Sequence, residues 1–341
     1  MEEVMVSVMM IAYNSEKYID RAIAGVMGQN TNFRVELVIG DDCSTDTTYV
    51  KCSFWKERFP GKIKLIQNAH NLGVSRNYQS TWHHCTGKYV AICDADDYWT
   101  DAHKLQKMVD YMECHPETSL CFHRVLNWYE NKGFKYKGEA LKTSDFTIDD
   151  LTQKNFITHL SVLERKINMP EIPDWTMDTY SGDYAFSLIQ ATKGNIHYMG
   201  NDIMGVYVKN SNSAWAGKEF LNESPVIIRE MAIDYLCGLG GFDVAISNLE
   251  SSCEAHYLKW LELLGFQEKE GETEGHIRMR KTALSKLRER HPEWTESDIL
   301  DQIRIRFPKP SIRQRLYLLA KKCYGYLTVL KPLPKPAGNL L

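Results

Sequence analysis

The sequence predicts an α/β protein with an open, mostly parallel twisted sheet flanked by helices, and with a helical C-terminal extension. Over the first hundred residues, short apolar runs alternate with segments whose apolar residues repeat every three or four positions. Each of these apolar runs ends in polar residues, as expected where the carboxyl ends of parallel strands form a ligand site. From residue 218 to about 300 the chain is highly charged and follows a helical pattern, which indicates the extension.

Four apolar segments in the first hundred residues are predicted to be strands. The first, Val4–Ala12, is a continuous apolar run rich in Val and Met, which is typical of a strand buried on both faces of a parallel sheet. The three later runs are shorter and cover Val35–Ile39, Ile63–Gln67 and Tyr89–Cys93.

Helices are predicted between these strands. Apolar residues recur at three- and four-residue steps over Ile19–Met27, which gives one apolar helix face, and Asn14 and Ser15 are residue types that can cap it. The helices after the second and third strands are predicted over Thr45–Arg58, with a cap near Ser44, and over Ser75–His84.

The pattern is looser beyond residue 97. Helices are predicted over Leu105–His115 and Asp183–Thr192, and strands over Ser119–Trp128 and Ile196–Tyr207, with mixed strands and loop at 130–156. We expect one domain over residues 1–217, divided into halves at residue 100. A helical region at 218–308 and a basic tail at 309–341 would follow it.

Composition excludes several classes of protein. Of the 341 residues, 43% are hydrophobic, which is enough for a buried core and excludes a disordered chain. The net charge of -3 is not that of a nucleic-acid binder. Nine cysteines without Cys-x-x-Cys spacing favour a reducing compartment. The chain starts Met-Glu-Glu, without a basic leader, and no apolar run approaches about 18 residues, so a cytoplasmic location is expected.

Charge is spread unevenly along the chain. From Gln302 to the end there are nine Lys or Arg and no Asp or Glu. Residues 311–330 of this tail have the pattern of an amphipathic basic helix. Peripheral contact with the anionic inner face of the cell membrane fits this helix. Packing on the rest of the chain, or between the subunits of a homo-oligomer, fits it equally well.

Two carboxylates follow the fourth predicted strand, in Asp94-Ala95-Asp96. On an extended chain, residues i and i+2 point to the same side. Two carboxylates on one side form a hard oxygen site for Mg²⁺ or Mn²⁺. The alternative is a solvated acidic turn in which Asp97 caps the next helix. Because the other strand ends supply amides, carboxylates and an arginine at the same sheet edge, we favour the metal site.

Four segments then carry a resemblance to a known family. AYN, DDCSTDTT, NLGVSRN and GKYVAICDADD resemble, in order and in spacing, the signatures of the family-2 glycosyltransferases of the GT-A fold. The resemblance covers about residues 4–210. It departs from the family at Ile11-Ala12, where proline is usual, and this changes the stiffness of the turn more than its chemistry.

The resemblance implies a nucleotide site built from the loops after the first four strands. It assigns Mn²⁺ or Mg²⁺ to Asp96 directly, with Asp94 contacting the ribose and metal-bound water. A carboxylate suits the N–H of uracil, which favours a UDP-sugar. The residues implied to bind nucleotide are Ala12, Tyr13, Asn14, Asp41, Asp42, Arg76, Asp94 and Ala95.

The resemblance also implies a catalytic base for the acceptor hydroxyl. In the family this is an acidic residue that opens a helix after a loop, and Asp183 matches that position. Asp174 and Asp178 are the nearby competitors, and Asp183 could instead only cap the helix. Phe156–Val162 resembles the strand that leads to the acceptor site, and Lys209 stands where the family has a cationic residue near the diphosphate.

The expected function is therefore metal-dependent, inverting transfer of a sugar from a nucleotide-sugar donor to an acceptor hydroxyl. The acceptor would be a saccharide or a lipid-linked saccharide, in cell-surface polysaccharide or glycolipid assembly. A metal-dependent nucleotidyltransferase or phosphohydrolase on an α/β nucleotide site is the alternative, and a non-catalytic nucleotide-binding protein is a third possibility. A glycoside hydrolase fits less well, because Asp94 and Asp96 on one turn could not flank a scissile bond.

Overall fold

A computed structural model describes residues 3–130, 133–137, 140–177, 182–210, 223–268 and 272–308. The chain divides into two compact units, one ending at Cys253 and one starting at Glu254. The first unit contains the sheet, and the second is helical in its described part. The predicted basic tail at 309–341 lies outside the described residues.

The described strands form one sheet in the first unit. In chain order they are β1 Val4–Ala12, β2 Arg34–Asp41, β3 Ile63–Gln67, β4 Tyr89–Ile92, β5 Tyr98–Trp99, β6 Thr118–Tyr129, β7 Phe134–Lys137, β8 Asp145–Phe146, β9 Leu163–Arg165 and β10 Asn195–Lys209. Their order across the sheet is β3-β2-β1-β4-β9-β6-β10-β5, with β7 beside β6 and β8 beside β10.

The described helices flank this sheet and then form the C-terminal extension. They are α1 Ile19–Met27, α2 Thr48–Arg58, α3 Val74–His83, α4 Lys104–Cys114, α5 Ile148–Gln153, α6 Gly182–Ala191, α7 Ser224–Leu239, α8 Asp243–Leu264, α9 Glu274–Arg290 and α10 Glu296–Arg306. Short 3₁₀ turns cover His159–Ser161, Lys166–Asn168 and Asp174–Thr176. Every helix in the described ranges is too short or too polar to cross a membrane.

The α/β class is confirmed, and the sheet is mixed. β1 pairs in parallel with β2 and β4, and β2 pairs in parallel with β3. β9 then enters antiparallel between β4 and β6, while β6 and β10 pair in parallel. After β1 the chain forms β2 and β3 on one side of β1, and it then returns to form β4 on the other side. The strand order therefore reverses at β1. Ligands of open α/β sheets bind at such a reversal, beyond the carboxyl ends of the strands.

The core lies on both faces of this sheet, as predicted for β1. Val8 and Met10 are fully buried in a cluster with residues of α1, α2 and α4. Met9 is fully buried in the opposite cluster, with residues of α3 and α6. Each such side chain contributes about 1.5–3 kcal/mol to stability when fully buried. The two clusters hold the end of β1 rigidly between the helix layers.

Close packing of α3 against β2 depends on Gly40. A Cβ atom at this position would lie 1.8 Å from Thr81 Oγ1 and 2.9 Å from Asn77 Oδ1. The Asn77 amide uses the space and donates a hydrogen bond of 2.9 Å to the Gly40 carbonyl. This contact holds the start of α3, and the loop before it, at the carboxyl end of β2.

Some local predictions were wrong. Asn14 and Ser15 do not cap α1, which begins at Ile19 after a turn in which the Ser15 carbonyl accepts from Tyr18 and Ile19. Likewise Ser44 does not cap α2, which begins at Thr48. In both places the loop is longer than the capping pattern suggested, because its polar groups bond to the neighbouring loop.

The predicted strand over Phe156–Val162 is also wrong. This segment is irregular up to the 3₁₀ turn at His159–Ser161, and the strand β9 starts at Leu163. Its polar residues lie beside the sheet, where they line a cleft instead of pairing with a strand.

Candidate active site

A cleft of about 590 Å³ opens at the carboxyl ends of β1, β2 and β4. Its walls come from the loops after these strands, the starts of α3 and α6, and the segment 157–160. The predicted site residues that line it are Ala12, Tyr13, Asp42, Asp94, Ala95, Asp96 and Asp183. The strand ends therefore meet in one place, as the sequence argument requires.

The loop after β1 is locked to the loop after β2. Asn14 Oδ1 accepts from the backbone N–H of Thr45 at 2.8 Å, and the N–H of Ser15 donates to Thr48 Oγ1 at 2.7 Å. Asn14 has φ of 49°, a left-handed conformation that Asn tolerates better than most residues. Its amide is used in holding the loop, and Asn14 is absent from the described lining of the cleft. Tyr13, 49% exposed, is among the residues that line the cleft.

Asp42 holds the loop before α3. Its Oδ1 accepts from the N–H of Leu72 and the amide of Asn68, both at 2.8 Å, and its Oδ2 accepts from the N–H of Gly73 at 2.9 Å. Gly73 has φ of 81°, which other residue types adopt only with strain. Three hydrogen-bond donors thus fix the orientation of the Asp42 carboxylate on the cleft wall. In return, the carboxylate fixes the position of the loop before α3.

Asp41 and Arg76 are placed differently from the other predicted site residues. Asp41 is fully buried, and its Oδ2 accepts from the N–H of Ser44 at 3.2 Å. Arg76 is exposed on α3. Neither is among the described residues that line the cleft. Their assignment to nucleotide binding stays a prediction.

Three aspartates stand together after β4. Asp96 Oδ2 accepts from the amide of Asn210 at 3.0 Å, and Asp97 Oδ1 accepts from the N–H of Val208 at 2.8 Å. Asp94 Oδ1 is buried and has no hydrogen-bond partner among the described residues. Burial of its carboxyl, followed by the charges of Asp96 and Asp183, raises the pKa of Asp94 from 3.8 to about 7. Burial also raises the pKa of Asp96, which the Asn210 hydrogen bond opposes, and that of Asp97.

This arrangement fits a divalent cation that shares its ligands with a substrate. In the described part of the chain, no three His, Cys, Asp or Glu side chains are placed to hold a metal by themselves. However, Mg²⁺ is typically bound through one or two carboxylates together with substrate phosphates. The unpartnered oxygen of Asp94 beside Asp96 offers such a pair, and a cation would relieve the repulsion between the two carboxylates.

Asp183 lies at the start of α6 and lines the same cleft. Its Oδ1 accepts from the N–H of Tyr184 at 2.9 Å. Its charge contributes to the raised pKa of Asp94, so the two carboxylates are near each other. The competitor Asp174 lies in a 3₁₀ turn, accepts from Gln79 at 3.3 Å, and is not among the described lining residues. The other competitor, Asp178, lies outside the described residues.

Sequence reasoning missed an aromatic wall of the cleft. Tyr78 stacks on His159 with ring centroids 5.5 Å apart and on Phe186 at 4.6 Å. The Tyr78 hydroxyl lies 3.2 Å from His159 Nε2. Burial lowers the pKa of His159, so the imidazole is neutral at pH 7. A single histidine outside any motif does not indicate a functional site in the sequence. Tyr78 lies at a position that the helical pattern assigns to the apolar face of α3.

Asn210 was also missed as a partner of Asp96. It directly follows β10, so it carries the same signal as Asn14, a polar amide at the end of a strand. The neighbouring Lys209 has its Nζ 4.5 Å from the ring centroid of Tyr207, a residue of the cleft wall. Lys209 itself is not among the described lining residues, and its role near the diphosphate stays a prediction.

A second pocket, of about 220 Å³, adjoins the cleft. The two share Ile157 and Thr158 in their walls. The second pocket extends along β6, where Phe122, Arg124 and Asn127 contribute to its lining. It was not predicted from the sequence, because its residues come from four separate segments without a motif.

Comparisons with known proteins agree with this layout. Residues 7–169 match the family described as Glycosyl transferase family 2. An uncharacterised protein of Mycobacterium tuberculosis (strain ATCC 25618 / H37Rv) is 35% identical over 210 residues, which are 61% of this chain and 60% of the relative. The chain therefore matches less than two thirds of that relative's length.

Two further proteins have named activities or ligands. The Escherichia coli protein named UDP-Glc:alpha-D-GlcNAc-diphosphoundecaprenol beta-1,3-glucosyltransferase WfaP is 26% identical over 226 residues, 65% of this chain and 85% of its own. The crystal structure of S. aureus TarS 1-349 in complex with UDP-GlcNAc superposes with a TM-score of 0.61 at 18% identity. The match covers 84% of this chain and 82% of that one. At this identity the likeness to TarS shows the fold alone.

Asp94→Asn should stabilise the metal-free protein at neutral and higher pH. The folded state keeps Asp94 protonated up to about pH 7, whereas the unfolded chain ionises it near 3.8. Wild-type stability therefore falls between these two pH values, and the substitution removes that loss, by about 1–3 kcal/mol above pH 7. Urea unfolding in EDTA from pH 4 to 8 measures the difference. Asp234→Asn, at an exposed position of α7, is the control. Parallel pH profiles for wild type and Asp94→Asn would contradict the burial argument.

Proposed function

We propose that this protein transfers a sugar from a nucleotide-sugar donor to an acceptor hydroxyl, because residues 7–169 match glycosyl transferase family 2 and the chain has the GT-A fold. The donor is a UDP-sugar, and the anomeric carbon is inverted. The main support for the proposal is one observation. The cleft brings the Asp94–Asp96 pair and Asp183, which are nearly ninety positions apart in sequence, to the walls of a single cavity.

The donor half of the cleft is the part built on β1, β2 and β4. Its volume of about 590 Å³ lies within the range of small-molecule sites. Tyr13 offers a ring on which a base can stack, and Asp42 is held in place by three donors. WfaP is named as a UDP-Glc-dependent glucosyltransferase, and the TarS crystal structure is a complex with UDP-GlcNAc. These relatives support a uridine nucleotide for this chain as well.

Asp96 and Asp94 would hold Mn²⁺ or Mg²⁺. Such an ion, when bound, neutralises the diphosphate and stabilises it as the leaving group. Asn210 keeps the Asp96 carboxylate oriented toward the cleft through its hydrogen bond. Asp94 Oδ1, which has no hydrogen-bond partner among the described residues, would be free to accept a hydrogen bond or to bind the cation.

Asp183 is the proposed base. A carboxylate accepts the proton of the acceptor hydroxyl while the hydroxyl oxygen attacks the anomeric carbon, on the side opposite to the departing diphosphate. Support for this role comes from the position of Asp183 at the start of α6, in the wall of the cleft and near the acidic loop after β4. The aromatic wall of Tyr78, His159 and Phe186 excludes water from this side of the cleft.

The proposed setting is the assembly of a cell-surface polysaccharide or glycolipid. WfaP is named as an enzyme that acts on GlcNAc-diphosphoundecaprenol, which supports a lipid-linked saccharide acceptor for this chain. Such an acceptor is held at a membrane surface. The nine Lys or Arg and the lack of acidic residues from Gln302 onward support peripheral attachment there.

Asp96→Asn should abolish sugar transfer and weaken Mn²⁺-dependent binding of UDP by about a hundredfold or more, because the amide lacks the charge that holds the cation. Calorimetric titration of UDP with and without Mn²⁺ measures the binding, and product formation measures the transfer. Asp110→Asn, at an exposed position of α4, should leave both unchanged. Equal UDP affinity for wild type and Asp96→Asn in Mn²⁺ would refute the metal site.

Asp183→Asn should lower kcat by about 10²–10⁴ because proton transfer is lost, while the Kd of the donor stays the same. Asp174→Asn is the matched control, since its carboxyl faces Gln79 outside the described lining of the cleft. Steady-state kinetics and UDP titration on both variants separate the two effects. Normal transfer by Asp183→Asn would assign the base elsewhere.

The full chain should float with vesicles of phosphatidylglycerol, and a version that ends at Pro308 should not. Removal of the tail takes away seven of the nine basic residues, each worth about 1 kcal/mol near an anionic surface. Vesicles of phosphatidylcholine alone are the control for charge. Equal flotation of the two versions would remove the membrane proposal and leave the transferase proposal untouched.

A further inference from the structure

We propose that Trp99 is a positioning residue of the cleft, which ties the acidic loop 94–97 to the wall segment 157–160 and so fixes the place of one relative to the other. The contacts that make this tie are present in the structure itself. Its consequence for sugar transfer rests on the proposed function.

Both of the tied segments line the cleft. All four residues of the acidic loop and all four of the wall segment belong to its described lining. In the proposed reaction the acidic loop holds the cation and the diphosphate. Burial lowers the pKa of His159 in the wall segment and the charge of Asp183 opposes this, so the wall lies near the proposed base. The relative place of the two segments therefore sets how far the bound donor is from Asp183.

One buried hydrogen bond joins the two segments. Trp99 belongs to β5, which starts directly after the acidic loop, and it is 4% exposed. Its indole N–H donates to the carbonyl of Leu160, 61 positions further along the chain, at 3.1 Å. The two residues of β5 pair with β10. Strand pairing thus holds the loop to β10, whereas the indole holds it to the wall.

A buried amine holds the Trp99 ring in place. Lys104, the first residue of α4, is fully buried, and its Nζ lies 3.9 Å from the centroid of the Trp99 ring. Among the described residues this Nζ has no hydrogen-bond partner, and burial lowers the pKa of Lys104 from 10.5 to about 7. A polar group buried in this way is costly, and the face of an aromatic ring is a favourable neighbour for it, either as a cation or as an N–H donor. Rotation of the indole would remove that neighbour, so the contact fixes the orientation of the ring.

Two glycines make room for this arrangement. Gly205 lies opposite Trp99 in the β5–β10 pair, and a Cβ atom there would stand 2.6 Å from Leu160 Cδ1 and 3.4 Å from Trp99 Cδ1. On α1, a Cβ atom at Gly25 would stand 3.0 Å from the Trp99 carbonyl oxygen. Side chains at these positions would push Leu160 away from the indole, or α1 away from β5. Contributions from α1, α4, β10 and the 3₁₀ turn thus meet at one hydrogen bond.

Hydrogen exchange in the full-length protein without ligand tests the tie. Trp99→Phe keeps an aromatic ring and removes the indole N–H, whereas Gly205→Ala displaces Leu160 and leaves Trp99 unchanged. Each should speed the exchange of the Ser161 and Val162 amides, which donate within the wall turn, about tenfold. The double variant should exchange no faster than the faster single variant, because both substitutions break the same contact.

Two controls make the same chemical changes away from the cleft. Trp55→Phe removes an indole N–H that donates to Asp20 at 2.9 Å, and Gly238→Ala adds a methyl group in open space on α7. Both should leave the exchange of the wall amides at the wild-type rate. Amides of β1 report on global unfolding and should respond less than those of the wall. Wild-type exchange of the wall in Trp99→Phe and Gly205→Ala, full additivity in the double variant, or a rise of the same size in β1 would overturn the tie.

Binding and kinetics test the consequence for transfer. Calorimetric titration of Trp99→Phe and Gly205→Ala with UDP and Mn²⁺ should give one site per chain and a Kd within about twofold of wild type, because the aspartates of the acidic loop are unchanged. The transfer assay uses UDP-Glc or UDP-GlcNAc as donor and GlcNAc-diphosphoundecaprenol as acceptor. In this assay kcat should fall about 10–100-fold, since donor and base are no longer held at the productive distance. A loss of UDP affinity as large as the loss of kcat would mean that Trp99 only maintains the donor site, and would overturn the positioning role.

The outcomes separate this inference from the proposed function. If wild type transfers no sugar, the transferase proposal fails, and the exchange rates still decide whether Trp99 ties the two segments. If wild type transfers sugar, and both variants loosen the wall without a change in kcat, the positioning role fails and the transferase proposal stands.

Discussion

The site depends on carboxylates that the fold holds together against their mutual repulsion. Asp94, Asp96 and Asp97 follow one buried strand, and burial raises the pKa of each. Two of them are partly compensated, by the amide of Asn210 and the N–H of Val208. The third, Asp94, keeps a buried oxygen for which the described part of the chain offers no partner. An unpaired buried carboxylate costs stability, and such costs persist in native proteins where a ligand later supplies the missing partner. The described lining of the cleft supplies no Lys or Arg to neutralise these carboxylates.

Hydrogen bonds between neighbouring loops keep the carboxylates in place. Asn14 bonds the loop after β1 to the loop after β2, and Asp42 bonds that second loop to the one before α3. Gly40 allows α3 to approach β2 closely enough for Asn77 to join them. Each bond links the end of one strand to the end of the next. The pocket is therefore rigid before any ligand arrives, which lowers the entropic cost of binding a donor.

The sequence was most informative where one physical rule decides the structure. β1 and β3 have their predicted bounds, because a continuous apolar run between turn residues can only be buried as a strand. Asp94 and Asp96 line the cleft, as expected of polar residues that follow a buried strand, and their role as metal ligands stays a prediction. Prediction failed where tertiary contacts decide. The sequence around Asn14 looks like that of a helix cap. In the structure, however, Asn14 accepts a hydrogen bond from Thr45, which is 31 positions away. Likewise, His159 is part of an aromatic wall only because folding brings Tyr78 of α3 and Phe186 of α6 beside it.

The charge of the cleft has a consequence for how the proposed donor would bind. The described lining of the cleft holds five aspartates and no Lys or Arg, and burial raises the pKa of three of them, Asp94, Asp96 and Asp97. The carboxylates that are ionised at neutral pH would repel a free nucleoside diphosphate. A donor would therefore bind well only together with a divalent cation, whose charge offsets that of the carboxylates and of the diphosphate. Cation and donor would thus enter the cleft together, because the diphosphate alone meets like charge in the described lining.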